Sequence, residues 1–335
     1  MWNQLRAVPH WLSALFDRCP AEHDGRWKDR DVMIVAHRGA ACDEPENTIA
    51  ALDVALARHR CSAVEIDLSM TRDGEIVLWH DWDPTDTVSI ARQNGLEENV
   101  RCRPITPESG SRWLRLVNEL DLDDLRKHFG YGLKEVGSPR LEAHIPTLAE
   151  FLVWAAQHPE LRHVHFDMKI PSRQVELVEP MMDRIDALIA EHEPAFRIIY
   201  STPHMKVLEA MERHAFHPNY AFDVETPFGI VLRPSRFSSV RTAIRFKNAF
   251  GTSMHPKVTT FAPWTTYKRV IRADVRLREA HNRSNPEVPI ERVFAATLNE
   301  RDLIRCLIAM GIDGLITDCP DIVREEAERA GRQVC

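Results

Sequence analysis

At 335 residues, with 44% hydrophobic and 28% charged side chains, the chain can bury a sizeable core and is neither disordered nor fibrous in composition. Its 43 Lys and Arg against 50 Asp and Glu leave a net charge of -7, which argues against a general nucleic-acid binder. Seven cysteines without a C-x-x-C spacing predict neither a disulfide framework nor a zinc site, and reduced thiols in a cytoplasmic protein are the simpler expectation.

Residues 1–31 place Trp2, Leu5, Trp11, Leu12, Leu15 and Phe16 at a spacing that makes one apolar helical face before Pro20. This predicts an N-terminal helical extension plugging the bottom of a barrel, while Trp2 and Trp11 keep peripheral membrane contact open as the alternative. His10 and Asp17 interrupt its apolar residues, so no secretory signal is expected. No apolar run approaches the roughly 18 residues that span a bilayer.

Val32 to Ala36 is a predicted strand that delivers His37 at its C-terminal end. The helix after it should start near Thr48 with Asn47 as cap, because Ile49, Leu52, Ala55 and Leu56 recur at helical spacing. In the next strand, Ala63 to Met70, Val64, Ile66 and Leu68 alternate with Glu65, Asp67 and Ser69, so both acids share one face. In a closed barrel that face is the lumen. Thr71-Arg72-Asp73-Gly74 is a turn, and Ile76 to Trp79 is a third strand ending in His80-Asp81.

From 82 to 145 the pattern is lost among prolines and glycines, apart from a short helical piece near Leu120 to Phe129; the stretch is expected to be a cap or lid insertion. Beyond it the rhythm resumes as helix Leu148–Ala156, strand His163–Met168, helix Val175–Ala190, strand Phe196–Ser201, helix His204–His214 and strand Tyr220–Val224. It closes with strand Arg292–Leu298, helix Arg301–Met310, strand Gly314–Thr317 and helix Asp321–Ala330. Strands alternating with helices over this length predict an α/β fold, a single (β/α)8 TIM barrel over 32–330. Between 227 and 289 a helix Val240–Ala249, a strand around Thr252–His255 and a helix Thr265–Ala280 are expected, with an excess of Arg and Lys best explained as a solvated helix face.

Glu65 and Asp67, two apart on one strand face, can share a hard cation through oxygen atoms, and Asp167 on a later strand is a natural third ligand. With no cysteine or His-x-x-x-His spacing nearby, the ion should be Ca²⁺ or Mg²⁺. A divalent cation, Arg38 and Lys169 turn the charge of three carboxylates from -3 into +1, which suits a phosphodiester carrying one negative charge. Arg38 can grip two phosphate oxygens and Lys169 acts as a point charge. His37 and His80, at the ends of different strands, could flank the phosphorus as acid and base.

These residues resemble the glycerophosphodiester phosphodiesterase family. The matching pieces are His37-Arg38-Gly39, Pro45-Glu46-Asn47-Thr48, Glu65-x-Asp67, Thr71-x-Asp73-Gly74, His80-Asp81, Asp167-x-Lys169 and Gly311-x-Asp313-Gly314-x-x-Thr317-Asp318-x-Pro320, spanning nearly the whole chain. The resemblance implies a phospholipase C-like barrel with an insertion after the His80 strand. It also implies His37 and His80 as acid and base, Glu65, Asp67 and Asp167 as metal ligands, Arg38 and Lys169 on the phosphate, and Glu46 and Asn47 shaping the first loop. The expected reaction is metal-dependent hydrolysis of a glycerophosphodiester to glycerol 3-phosphate and an alcohol.

Two departures bear on substrate. Asp167 stands where many members have Glu, and Ala296 before Thr297 replaces a common Trp, a smaller wall that would admit a bulkier alcohol or a lysophospholipid. Competing readings are a Schiff-base role for Lys169, disfavoured by three acids that keep it charged, and a silent barrel acting as a binding protein, disfavoured by intact His37 and His80.

Overall fold

Strands buried on both faces carry the framework. The computed structural model describes residues 19, 27–214, 221–222, 238–254 and 263–335, and the predicted helical face from Trp2 to Phe16 lies outside them. The chain divides into two compact units, one of Ala36–Tyr200 with Met205–Phe216, the other of Met1–Val35, Ser201–His204 and His217–Cys335.

In chain order the elements are β1 (Met33–His37), α1 (Ile49–Ala57), β2 (Ala63–Met70), β3 (Ile76–Leu78), α2 (Thr87–Gln93), β4 (Cys102–Ile105), α3 (Leu122–His128), β5 (Gly130–Leu133), α4 (Leu148–Ala155), β6 (His163–Met168), α5 (Val178–His192), β7 (Arg197–Ser201) and α6 (Met205–Arg213). There follow β8 (Ala221–Phe222), α7 (Ser239–Arg245), β9 (Phe250–Met254), α8 (Pro263–Ser284), β10 (Arg292–Ala296), α9 (Arg301–Met310), β11 (Gly314–Thr317) and α10 (Pro320–Arg329). The main sheet runs β7-β6-β2-β1-β11-β10-β9-β8, with β3 antiparallel on β2. The eight strands of this path follow chain order with the last returning to the first, β7 and β8 standing at its two ends, which is the succession of a nearly closed β/α barrel, the predicted class.

β2, β6, α9 and β11 fall on their predicted bounds. The helix expected from Val175 begins at Val178, after a 3-10 turn over Ser172–Leu177. α7 stops at Arg245 rather than Ala249, because Lys247 takes a left-handed φ of 55° that no helix continues through. β9 accordingly starts earlier, at Phe250.

Residues 82–145 hold more regular structure than the sequence pattern suggested. β4 pairs antiparallel with β5, and Val117, Leu120, Leu125, Phe129, Tyr131 and Ile145 build an apolar cluster onto Val77 and Trp79. Trp79 packs edge-on against Phe129 and tilted against Tyr131. Four-residue strands and seven-residue helices are too short to display a period, which is why this stretch looked irregular.

In the second unit one expectation fails and another holds only in part. Cys19 and Cys306 form a disulfide, so the chain does not carry seven reduced thiols, and the cytoplasmic reading loses the support that the cysteine count lent it. The basic stretch is not simply a solvated face either. Arg278 on α8 is buried, ion-paired with Asp313 and donating to the Gly311 carbonyl, while Asp313 also accepts the Val293 N–H. No described helix is long and apolar enough to cross a membrane.

Candidate active site

β2 sets the foundation. In the parallel register of β2 and β6, Glu65 lies opposite His165 and Asp67 opposite Asp167, so the acids of both strands emerge on one face. One carboxylate oxygen from each of Glu65, Asp67 and Asp167 lies within 4.8 Å of the others. All three are buried, which is costly for charge unless cations or donors answer it.

Lys169, one residue beyond β6, answers first: its Nζ is 2.8 Å from Asp67 Oδ1 and 2.6 Å from Asp167 Oδ2. Arg38 Nε lies 2.9 Å from Asp67 Oδ2. Burial would raise the Asp67 pKa, but Lys169 and Arg38 outweigh it and hold this carboxyl well below the usual range. Burial likewise works against the charge on Lys169, and Asp167 and Asp67 overcome it, so the ammonium stays protonated.

Glu65 behaves differently. Burial and the adjacent charge of Asp67 push its pKa up to about 8. Its Oε2 accepts the Arg38 backbone N–H at 2.9 Å and lies 3.9 Å from His37 Nε2. Oδ1 of Asp167 is buried without a hydrogen-bond partner. An oxygen-only donor set with one orphaned oxygen and one carboxyl short of positive charge fits a hard divalent cation.

The loop after β1 shapes this face by backbone conformation. Arg38 and Gly39 are both left-handed, at φ 54° and 80°, and a Cβ on Gly39 would stand 2.8 Å from the Ala51 backbone. Thr48, not the predicted Asn47, caps α1, accepting from the Ala51 N–H. Asn47 has φ 55° and turns its amide inward instead: Nδ2 donates to Asp67 Oδ2 at 2.7 Å and Oδ1 accepts from the Asp67 N–H at 3.0 Å. β2 is thus clamped by a residue whose motif position had suggested a helix cap and loop shaping.

His80 Nδ1 is 2.6 Å from Asp81 Oδ1, and Arg92 Nε donates to that same oxygen at 2.9 Å. Burial, with Lys169 and Arg38 nearby, holds His80 well below the ordinary imidazole range. Burial raises Asp81 to about 6, against the pull of Arg92. At neutral pH the pair is therefore a carboxylate and a neutral ring, with Nδ1–H on Asp81 and the Nε2 lone pair free of that bond.

Arg92 and Glu97 were not anticipated. Glu46 bonds both Arg38, at 2.7 Å, and Arg92, and Glu97 also spans the two arginines, at 3.1 Å to Arg38 and 2.6 Å to Arg92. Burial opposes the charge on Glu46, but Arg38 and Arg92 bring its pKa to about 2. Nothing in the sequence marked Arg92, an arginine on a seven-residue helix. Its signal would have been three acids, Glu46, Asp81 and Glu97, needing more than Arg38. With Asp81, Glu46, Glu97 and Arg92 included, the formal balance of +1 drawn from the sequence falls by two charges. The four added groups leave no net positive charge to attract an anion.

A cavity of about 410 Å³ beside the first loop, lined by Glu44, Thr48, Arg101, Leu133, Leu141 and His144 among others, includes none of the seven predicted site residues.

Residues 37–322 match the model of the glycerophosphoryl diester phosphodiesterase family. A glycerophosphodiester phosphodiesterase of Bacillus subtilis is 21% identical over 299 residues, covering 87% of this chain and 85% of its own. Among solved structures, one from Silicibacter pomeroyi has a TM-score of 0.66 at 19% identity, covering 91% of this chain and 96% of that one. An Oleispira antarctica phosphodiesterase, solved with the product sn-glycerol-3-phosphate, has a TM-score of 0.60 at 19% identity, with 88% of this chain and 96% of that one covered. At these identities the structures speak to the fold, and they agree with the barrel succession of strands.

Proposed function

Because the chain belongs to the glycerophosphoryl diester phosphodiesterase family, and so to the phosphoric diester hydrolases, we propose that it cleaves glycerophosphodiesters to glycerol 3-phosphate and an alcohol. Arg38 and Lys169 hold the phosphate oxygens, and His37 and His80 move the protons. The observation that carries this reading is the cluster of Glu65, Asp67 and Asp167 with Lys169 and Arg38 directly upon it, a set of groups suited to an anion only when a cation joins them.

Glu65, Asp67 and Asp167 would hold that divalent cation, Ca²⁺ or Mg²⁺ by the hardness of their oxygens, and the ion would supply positive charge against the phosphoryl oxygens. His80, neutral and with Nδ1 engaged by Asp81, accepts through Nε2 the proton of the attacking group, either water or the neighbouring glycerol hydroxyl, whose cyclic phosphate water then opens to glycerol 3-phosphate. His37, beside Glu65, returns a proton to the leaving alcohol. Arg38 is fixed by its backbone bond to Glu65 and by Asp67 and Glu46, so its guanidinium meets the substrate pre-positioned.

A panel of glycerophosphodiesters and lysophospholipids, each with Ca²⁺ and with Mg²⁺, tests the reading. Release of glycerol 3-phosphate that a chelator abolishes, and that His37→Ala and His80→Ala each abolish, is the expected result. Activity surviving both substitutions, or no release from any headgroup, overturns it.

A further inference from the structure

The first unit contains a second cluster of potential ligands, and its chemistry is the opposite of the first. Cys42 Sγ lies 3.4 Å from Asp43 Oδ2, and His59 Nε2 lies 2.6 Å from that same oxygen. One potential ligand atom from each of the three residues lies within 4.8 Å of the others. We propose that Cys42, Asp43 and His59 form a binding site for a borderline-soft divalent cation, with Zn²⁺ the natural occupant, separate from the all-oxygen cluster of Glu65, Asp67 and Asp167.

Ligand softness separates the two. Thiolate and imidazole favour Zn²⁺ over Ca²⁺ or Mg²⁺, while three carboxylates favour the hard ions. A tetrahedron built on Zn–S of about 2.3 Å and Zn–N or Zn–O of about 2.0–2.1 Å has edges of about 3.3–3.6 Å. The sulfur-to-oxygen edge already has that length. The oxygen-to-nitrogen edge is a hydrogen bond, and it opens when the proton it carries gives way to the metal.

The surroundings support three fixed donors. Asp43 Oδ1 is held at 2.6 Å by Arg58 Nη1, which leaves Oδ2 turned toward Cys42 and His59. Arg101 Nη1 donates to the Asp43 carbonyl at 2.6 Å, and the N–H of Asp43 bonds the Ala40 carbonyl at 2.9 Å. His59 is buried just past the end of α1, where the helix terminus favours positive charge. Cys42 and Asp43 are half-buried, so one side stays open for a fourth ligand, such as water. A cation here would tie the loop that carries Arg38, Glu46 and Asn47 to the far end of the helix it leads into.

Co²⁺ is the probe, because thiolate ligation gives a charge-transfer absorption band that carboxylate ligation lacks. Full-length protein, kept in a metal-free reductant with Ca²⁺ in large excess, is titrated with Co²⁺ and then with Zn²⁺. One equivalent of Co²⁺ should raise the band and Zn²⁺ should bleach it. Cys42→Ser and His59→Gln should each lose it, while Glu65→Gln should keep it. In parallel, Zn²⁺ should raise the melting temperature of the parent chain and not of Cys42→Ser, whose half-buried position tolerates the exchange. No band in the parent chain, or a band that persists in Cys42→Ser, overturns the proposal and leaves Asp43 and His59 as a hydrogen-bonded pair.

Discussion

His80 Nδ1 and Asp81 Oδ1 stand 2.6 Å apart, with Arg92 Nε on the same oxygen, so one carboxylate fixes both the ring's orientation and its tautomer. Asp81→Asn keeps the shape and removes the charge that holds the proton on Nδ1. It should lower kcat by about 10²–10⁴-fold, the range a positioned acid or base contributes. Since Asp81 is raised to about 6, kcat/KM of the parent enzyme should fall as pH drops through about 6 and that carboxylate protonates. An unchanged kcat in the variant would exclude this pairing from the chemistry.

Arg92→Met should be more damaging to stability than its place on a seven-residue helix suggests. The substitution leaves Asp81 and Glu46 buried without their shared partner, a loss of about 3–5 kcal/mol. Glu46 is depressed from 4.5 to about 2, so its ionised form stabilises the fold above the ordinary glutamate value, and that contribution is lost as pH falls toward 2. Urea midpoints across pH 2–7 should show this acid limb moving upward in the variant.

Asn47→Ala removes both of its own bonds to Asp67 and leaves the buried Asp67 N–H unanswered. The expected loss is about 1–3 kcal/mol. Asn47→Asp should do worse, since it sets a second carboxylate against the Asp67 oxygen in place of a donor. Thermal melts of the two variants side by side would reveal the ranking, and a milder Asn47→Asp would contradict the clamp.

Glu65, at about 8, is largely protonated at neutral pH when no cation is bound. Cation binding must expel that proton, so affinity for Ca²⁺ or Mg²⁺ should rise about tenfold per pH unit up to about pH 8 and then level off. Calorimetry in buffers of different ionisation enthalpy would count the proton. A pH-independent affinity between 6 and 8 would refute the linkage, and Glu65→Gln should abolish the slope along with most of the binding.

The barrel was legible because its longer elements carry a period: β2 alternates and α9 repeats at helical spacing over ten residues. The cluster of Glu65, Asp67 and Asp167 was legible for the same reason, since alternation on β2 puts two acids on one face and β6 brings the third into register. Arg92 and Glu97 were not, because their meaning lies in which buried acids they meet, and no local pattern encodes that. Asn47 was misassigned as a cap: side chains that cap a helix also suit left-handed turns, and only the tertiary contact with Asp67 decides between them. Cys19 and Cys306, 287 residues apart, bear no spacing signal at all.

The apolar cluster built on Trp79 has a consequence for redesign. Phe129 and Tyr131 of the 82–145 segment grip the residue immediately before His80, while Arg92 and Glu97 of the same segment bind Asp81, Glu46 and Arg38. The segment is therefore not an interchangeable module. A graft from a relative chosen to accept a different headgroup would have to bring its own counterparts of these four side chains, or the transplant would alter turnover before it altered selectivity.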